Sequence, residues 1–387
     1  MKQRPNFIFR TLENFRKTEL EDISSYFGMN LPRKVLKAEY VKKLGAYIVE
    51  EPRGWLVNML EMDLRLLSRL VELGPEKSLY IDYPDFPTVL EVVGIIASDC
   101  SDENFKRVWL PKEFYDIVAP CVDDVIDMCE STGRFEIDRA ALGYLNLYGV
   151  IDLDTFFDKM IDYKEWAGWK SADAFSELIT ESPVMKLCRV DRLDGIFMAS
   201  PSLFHPEAVL AGRKDHPDIK DFHKFTPEQA MEAGGGSPFF VFGLGSPEGK
   251  KLVEMLGNLG YGEAEIKLEC HDIWLNAQMT GSEDTTEAIF SCVSRKQDII
   301  DTFEDYNDCM KVVAAYANSL PKWLLSGYSA NETNCLKVVL RTEDDPLESL
   351  VKKNPLLGLF VHPAPMDGPC PCGSNLSYRN CHGRHLS

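Results

Sequence analysis

The sequence is poor in positive charge. Its 42 lysines and arginines are outnumbered by 61 aspartates and glutamates, which gives a formal net charge of −19 at pH 7. A surface of that sign repels phosphate groups, so non-specific adhesion of the whole protein to nucleic acid or to anionic lipid is disfavoured. Any contact with nucleic acid therefore has to come from a local basic patch.

Long apolar runs are missing as well. No segment approaches the roughly 20 apolar residues that cross a bilayer, and the start of the chain is charged, with no apolar stretch of signal-peptide length. Hydrophobic residues nevertheless make up 45% and aromatic residues 11% of the chain, which is enough to build compact cores. We expect a soluble, cytoplasmic bacterial protein with roughly two to four compact units.

Recognisable catalytic motifs are also lacking. Gly-x-Ser-x-Gly and His-Glu-x-x-His do not occur. Residues 243–251 are rich in glycine, but Lys251 stands where a phosphate loop needs Ser or Thr, so a helix start is predicted there. Glu269 to Asp272 contain the residue types of a thiol protease, yet neighbouring side chains diverge on a helix, which predicts a buried Cys270 beside a surface His271. No catalytic residue is assigned, and an enzyme of unknown reaction is the third functional alternative.

Cysteine is present in an odd number, eleven. Eight cysteines are scattered singly through apolar stretches, a pattern that predicts reduced thiols rather than a disulfide framework. The other three lie with a histidine within residues 370–382, among prolines, glycines and small polar residues. That stretch has no residues for a hydrophobic core, so another interaction has to hold its shape.

A zinc ion suits that stretch. Tetrahedral Zn²⁺ takes four sulfur and nitrogen ligands, and the residues that could supply them are Cys370, Cys372, Cys381 and His382. Metal binding would provide the folding free energy, which is about 10–16 kcal/mol in zinc-finger peptides near neutral pH. The alternatives are unlinked surface residues, a disulfide, and His385 as the ligand in place of His382.

The same stretch resembles the SEC-C motif, Pro-Cys-Pro-Cys-Gly-Ser-Gly-Lys-Lys-Tyr-Lys-Lys-Cys-Cys/His-Gly, at residues 369–374, Tyr378 and residues 381–383. The resemblance implies the same four zinc ligands. Leu376 and Ser377 stand where the motif has a lysine pair, which weakens the implied binding to phosphate or acidic surfaces. In the family, the motif closes the preprotein-translocase ATPase, where it contacts a chaperone and the ribosome, and it caps many other bacterial proteins. The resemblance therefore implies a binding accessory and no particular reaction.

Residues 15–50 predict two helices joined by an extended loop. Thr18 and Glu21 are placed to cap the first helix, and Gly28 to end it. This layout is similar to SAP domains and to the N-terminal domain of the transcription terminator Rho, and the resemblance implies nucleic-acid binding. The most basic window of the chain lies there and supplies candidate phosphate contacts: Arg33, Lys34, Lys37, Lys42 and Lys43. A solvated helix face is the alternative.

Two further regions predict helices followed by a β-hairpin, an order that is typical of a winged helix. In the first, a helix from Pro52 to Leu73 and a short helix precede strands at residues 95–97 and 106–110. In the second, four helices precede strands at residues 185–190 and 195–199. An α+β linker domain is the alternative for the first region. Such folds have many roles, so they predict no function alone.

The predicted fold is mainly α, or α+β in detail, with tandem winged-helix-like units, a helical C-terminal domain and a zinc knuckle. The predicted domains are residues 1–51, 52–120, 121–225, 226–362 and 363–387, with a linker at residues 205–237 that contains one helix.

The function predicted first is a zinc-binding, non-enzymatic adaptor or regulator. It would contact a protein or the ribosome through the C-terminal tail and nucleic acid through residues 31–43, and it would have no membrane contact. The alternative is a pure protein–protein interaction module that uses the SEC-C knuckle. Zinc that only staples the terminus is an equal alternative to zinc in a binding surface.

Overall fold

A computed structural model of the chain describes residues 6–29, 31–32, 34–82, 89–99, 105–235, 241–278, 283–300, 302–338 and 377. The fold is mainly helical, with two small three-stranded antiparallel sheets, so the mainly α prediction is confirmed. Within those ranges, no helix has the length and apolarity needed to cross a membrane.

The N-terminal part of the chain is helical. Helices α1 to α5 are Asn6–Asn14, Lys17–Tyr26, Lys37–Glu50, Pro52–Leu56 and Glu61–Leu73. The predicted helix-loop-helix is confirmed as α2 and α3, and Gly28 follows α2 with a positive φ of 76°. The predicted cap is wrong, because Thr18 lies inside α2 and the amide of Arg16 donates to Glu19 instead.

A single helix from Pro52 to Leu73 is also wrong, because the chain leaves the helical path between α4 and α5. The guanidinium of Arg134, from a distant part of the chain, donates to the carbonyl oxygens of Val57 and Met59 in that break. The break therefore keeps its buried carbonyls satisfied without an intrahelical partner. Its cause is a long-range contact that local helix propensity does not contain.

The first sheet follows α5. Its elements are β1 (Ser78–Asp82), α6 (Val89–Val92), β2 (Ala97–Asp99) and β3 (Phe105–Trp109), and the strand order is β1-β3-β2. The predicted hairpin is confirmed as β2 and β3, although Ile95 and Ile96 precede the strand and their amides bond to the carbonyl of Leu90. Strand β1 was not predicted. Lys106 of β3 forms a buried ion pair with Glu91 of α6 at 2.6 Å, which ties the helix to the sheet.

The second sheet is accompanied by a larger number of helices. The elements are α7 (Lys112–Val118), α8 (Val122–Ser131), α9 (Arg134–Tyr148), β4 (Val150–Asp152), α10 (Leu153–Trp166), α11 (Ala172–Glu181), α12 (Pro183–Leu187), β5 (Arg189–Arg192) and β6 (Gly195–Ala199). The strand order is β4-β6-β5. Asp152 caps α10 by accepting from the amide of Thr155, as predicted. The strand predicted from residue 185 starts only at Arg189, because Ser182 and Pro183 begin a short helix.

The C-terminal part is again helical. Its helices are α13 (Pro206–Gly212), α14 (Pro227–Ala233), α15 (Pro247–Asn258), α16 (Glu263–Gln278), α17 (Glu283–Ser294), α18 (Phe303–Ser319) and α19 (Ala330–Thr333), with short 3-10 turns at Arg213–Asp215, Gln297–Ile299 and Trp323–Leu325. The capping box of Ser329 and Glu332 is confirmed, but α19 is only one turn long. The predicted linker at residues 205–237 holds two helices, and Ala230 and Ala233 of α14 are fully buried. Helix α14 is therefore part of the core.

Helix α9 organises the packing. Twelve of its fifteen residues are buried, which is typical of a helix surrounded by protein on all sides. Phe135 belongs to a core cluster that reaches back to Ile8, Ile137 to a second cluster, and Leu147 to a third that reaches Val338. The bounds of the five domains drawn from the sequence stay predictions. Apart from Ser377, the predicted domain at residues 363–387 lies outside the described residues.

Candidate functional site

The four predicted zinc ligands, Cys370, Cys372, Cys381 and His382, lie outside the described residues, as does the alternative His385. Their chemistry fits the metal, since three thiolates and one imidazole make a complete tetrahedral donor set for Zn²⁺. In the parts of the chain that the structure describes, no group of three or more histidine, cysteine or carboxylate side chains could hold a metal ion. Among those residues, no other group of side chains is therefore a candidate for the zinc site.

Seven cysteines of the body are described, and all are free thiols. Three of them are unsuited to metal binding or nucleophilic chemistry. Burial raises the pKa of Cys188, Cys270 and Cys292 to about 12. These thiols stay protonated at neutral pH, whereas reactive and metal-bound cysteines are thiolates.

The Glu269–Asp272 segment is structural. Cys270 is buried as predicted, but the surface position predicted for His271 is wrong, because the imidazole is only 8% exposed and packs beside Trp274 at 5.8 Å between ring centroids. Glu269 is also buried and forms an ion pair with Arg295, which directly follows α17. The prediction failed because α16 is buried on more than one face, whereas an amphipathic surface helix would bury only one.

The helix start predicted at residues 243–251 is confirmed. Ser246 caps α15, because its hydroxyl accepts from the amide of Gly249 at 3.0 Å. The amide of Gly243 donates to the carboxylate of Glu232, and Glu232 and Glu248 both line the adjacent cavity of about 390 Å³. Two carboxylates beside the loop oppose the binding of a phosphate.

The predicted nucleic-acid patch is only partly assembled. Arg33 lies outside the described residues, and the exposed lysines are Lys34, Lys37, Lys42 and Lys43. Lys37 turns back to donate to the carbonyl of Glu13 at 2.8 Å, and Lys43 pairs with Glu39 at 2.9 Å. At about 100° per residue, Lys42 and Lys43 flank Glu39 on the outer face of α3. Within the described chain, Lys34 and Lys42 have no ion-pair partner.

Helix α11, which precedes the second hairpin, is acidic. Asp173, Glu177 and Glu181 are exposed on α11. Helix α12 packs against α2, and Lys186 of α12 donates to the side chain of Asn58 at 2.6 Å. At the tip of the hairpin, Leu193 is fully exposed. The charged residues of α11 are therefore all acidic, and the hairpin tip adds one exposed apolar side chain.

A second set of lysines was missed from the sequence. Lys159 of α10 and the segment Lys220–Lys224 line one cleft together with Tyr328. The local signal was a basic, aromatic stretch, Lys-Asp-Phe-His-Lys, inside the predicted linker. Only the folded chain brings α10 and Tyr328 to it.

Comparison with known proteins identifies the tail alone. The family model described as the SEC-C motif matches residues 369–384. The searches of curated proteins and of solved structures found no match to the chain. The matched residues include all four predicted zinc ligands and belong to a generally metal-binding motif. The chain is therefore a SEC-C motif-containing protein.

Proposed function

We propose that the chain is a zinc-binding, non-enzymatic adaptor or regulator that contacts nucleic acid or the ribosome. The observation that carries this proposal is the SEC-C match at residues 369–384. The motif is generally metal-binding, and the resemblance implies a binding accessory. Cys370, Cys372, Cys381 and His382 would hold the zinc ion, and the ion would fold a tail that has no apolar core. Bound there, zinc would supply structure and take no part in a reaction.

The contact with nucleic acid is proposed at the N-terminal lysines. The body of the protein is strongly acidic, so an approaching phosphate backbone is repelled except where lysines dominate locally. Lys34 and Lys42 support this placement because they are exposed and not neutralised by a described carboxylate. Glu39 reduces the local charge, so the contact should be weak and strongly dependent on salt.

Ribosome co-sedimentation and gel shifts with RNA and DNA at low salt test the proposal. The double variant Lys34→Glu with Lys42→Glu should weaken binding about tenfold or more. The matched control is Lys250→Glu with Lys251→Glu, which makes the same charge change on the exposed side of α15. Absence of binding by the wild type, or an equal loss in both double variants, would show that the N-terminal surface is not the contact.

We also propose that residues 121–225 form a winged helix. The support is the element order α9-β4-α10-α11-α12-β5-β6 together with the antiparallel strand order β4-β6-β5. For residues 52–120, the order β1-β3-β2 supports the same arrangement. The acidic face of α11 disfavours nucleic acid at the second unit.

The second candidate function is a protein-interaction module, and the observation that favours it is the exposed Leu193 at the hairpin tip, in the same proposed unit as the acidic helix α11. A basic partner with an apolar pocket would fit such a surface. Pull-downs with the full chain, with and without nuclease, separate the two functions. Partners that persist after nuclease and are lost on Cys372→Ser support the interaction module. Partners lost after nuclease support the nucleic-acid contact.

A further inference from the structure

A cleft of about 820 Å³ opens where the second sheet unit meets the C-terminal helices. Thr155 and Lys159 of α10 form one wall, the segment Lys220–Lys224 forms another, and Tyr328 closes the side towards α19. The volume lies in the range of small-molecule sites, about 300–1,000 Å³. Three parts of the chain that are far apart in sequence thus contribute to one concave surface.

The charge of the cleft is opposite to that of the protein. Three lysines and a single aspartate, Asp221, line it, in a chain with a net charge of −19. In the described part of the chain, Lys220 and Lys224 form no ion pair. Lys159 is mostly covered, at 19% exposure of its side chain, and its carboxylate partner Asp162 is 3.9 Å away, beyond hydrogen-bond distance. The ammonium groups are therefore available to an anion.

The lysine segment is anchored at its centre. The amide of His223 donates to the carbonyl of Ser326 at 3.0 Å, and its carbonyl accepts from the hydroxyl of Tyr148 at 2.7 Å. Its Nε2 atom lies 3.2 Å from a carboxylate oxygen of Glu332. Two backbone hydrogen bonds and one side-chain contact, made with three parts of the chain, hold the segment that carries Lys220 and Lys224. Such preorganisation lowers the entropic cost of binding.

Two aromatic rings add an apolar surface to the same cleft. The ring of Tyr328 packs edge-on against His223 at 4.9 Å between centroids. Phe222 is backed by Tyr148 at 5.1 Å and by the guanidinium of Arg213 at 5.0 Å. Both rings are half-buried, so each keeps part of its surface in the cleft. A flat ring on the ligand could pack there without a change in the protein.

We propose that this cleft binds a small phosphorylated anion, whose phosphate oxygens accept hydrogen bonds from Lys159, Lys220 and Lys224. Lysine is a point-charge donor that suits phosphate of any orientation. The phosphate could belong to an inorganic polyphosphate or to a nucleotide, in which case the ring would lie against Tyr328. The site depends on neither the zinc tail nor the N-terminal lysines, so it goes beyond the proposed function and can fail independently of it.

Isothermal titration of the full-length, zinc-loaded protein with pyrophosphate and with ADP at low salt tests the proposal. The variant Lys220→Glu with Lys224→Glu should lose affinity for the anion about tenfold or more, since two charge-assisted hydrogen bonds become repulsions. The control Lys34→Glu with Lys42→Glu, which makes the same change at the N-terminal surface, should retain wild-type affinity. Circular dichroism and the neutral pair Lys220→Gln with Lys224→Gln separate loss of binding from loss of folding.

The relative affinities for ADP and pyrophosphate show whether the phosphate belongs to a nucleotide or to an inorganic polyphosphate. Tighter binding of ADP than of pyrophosphate, reduced by Tyr328→Leu, assigns a nucleotide. Tighter binding of pyrophosphate, unaffected by Tyr328→Leu, assigns an inorganic anion. Failure of the wild type to bind either probe, or an equal loss in the control variant, overturns the site.

Discussion

The carbonyl oxygen of Ala230 in α14 lies directly against the Cα atom of Gly143 in α9, so closely that an added Cβ would come within 1.7 Å of it. The contact is reciprocal, because a Cβ on Gly234 would come within 1.8 Å of the carbonyl oxygen of Arg139. Two glycines thus let the central helix and α14 approach backbone to backbone. This crossing joins the supposed linker to the core.

Replacing Gly143 with alanine should lower the free energy of unfolding by about 2 kcal/mol or more, because overpacking against backbone cannot be relieved by a side-chain rotation. The measurement is chemical denaturation followed by circular dichroism. Gly257→Ala in α15 is the matched control, because its added Cβ would meet no atom within 4 Å. That variant should gain up to about 1 kcal/mol from the better helix propensity of alanine. Equal effects of the two substitutions would contradict the close crossing.

Asp63 should make stability depend on pH. Burial raises the pKa of Asp63 from 3.8 to about 6, although the hydrogen bond from the Tyr26 hydroxyl at 2.5 Å opposes the rise and Glu91 adds to it. Between those two pH values the folded state keeps a proton that the unfolded chain has released. The contribution of the protonated Asp63 to the stability of the fold is therefore complete below about pH 4 and is lost as the pH rises through about 6.

The free energy associated with that shift is about 3 kcal/mol. Asp63→Asn keeps an acceptor for Tyr26 and cannot ionise, so its advantage over the wild type should grow between about pH 4 and pH 6 and then level off. Urea denaturation at several pH values measures the difference. Asp127→Asn, on the exposed side of α8, serves as the control and should follow the wild-type profile. A constant difference between Asp63→Asn and the wild type across this window would show that the carboxyl is not buried.

The sequence predicted features whose cause is local. Asp152, Ser246 and Ser329 cap helices because each side chain accepts from the amide three residues away. The hairpins also follow from short polar turns between apolar runs. Such signals need no knowledge of the rest of the chain.

The features that the sequence could not predict depend on distant partners. Strand β1 exists because Ser78 to Asp82 pair with β3, and the break before Glu61 is held by Arg134. The second lysine cleft has the same origin, since Tyr328 lies more than a hundred residues from Lys220 in the sequence. The zinc ligands are the opposite case, because all four lie within one short motif.

Arg213 should stabilise the contact between the second sheet and the C-terminal part of the chain. Its guanidinium donates to the carbonyl oxygens of Tyr148, Val150 and Trp323. Burial lowers the pKa of Arg213 to about 10, so the group is still charged at neutral pH. Arg213→Met should cost about 3 kcal/mol or more, because three carbonyls lose a charged donor. Lys214→Met, on the exposed neighbouring residue, should change the free energy of unfolding by less than about 0.5 kcal/mol. Similar losses of unfolding free energy in both variants would contradict this role of Arg213.

Cys372→Ser should abolish stoichiometric zinc while the helical body stays folded. A hydroxyl is a far poorer zinc ligand than a thiolate, and the tail relies on the metal because its prolines, glycines and polar residues bury little apolar surface. Elemental analysis of the purified chain should find one zinc per wild-type molecule. Cys335→Ser removes a free thiol of the body and should keep that zinc. Thermal unfolding of the body should be nearly the same in both variants. Zinc retained by Cys372→Ser would remove that sulfur from the ligand set, and zinc lost from Cys335→Ser would place the metal elsewhere in the chain.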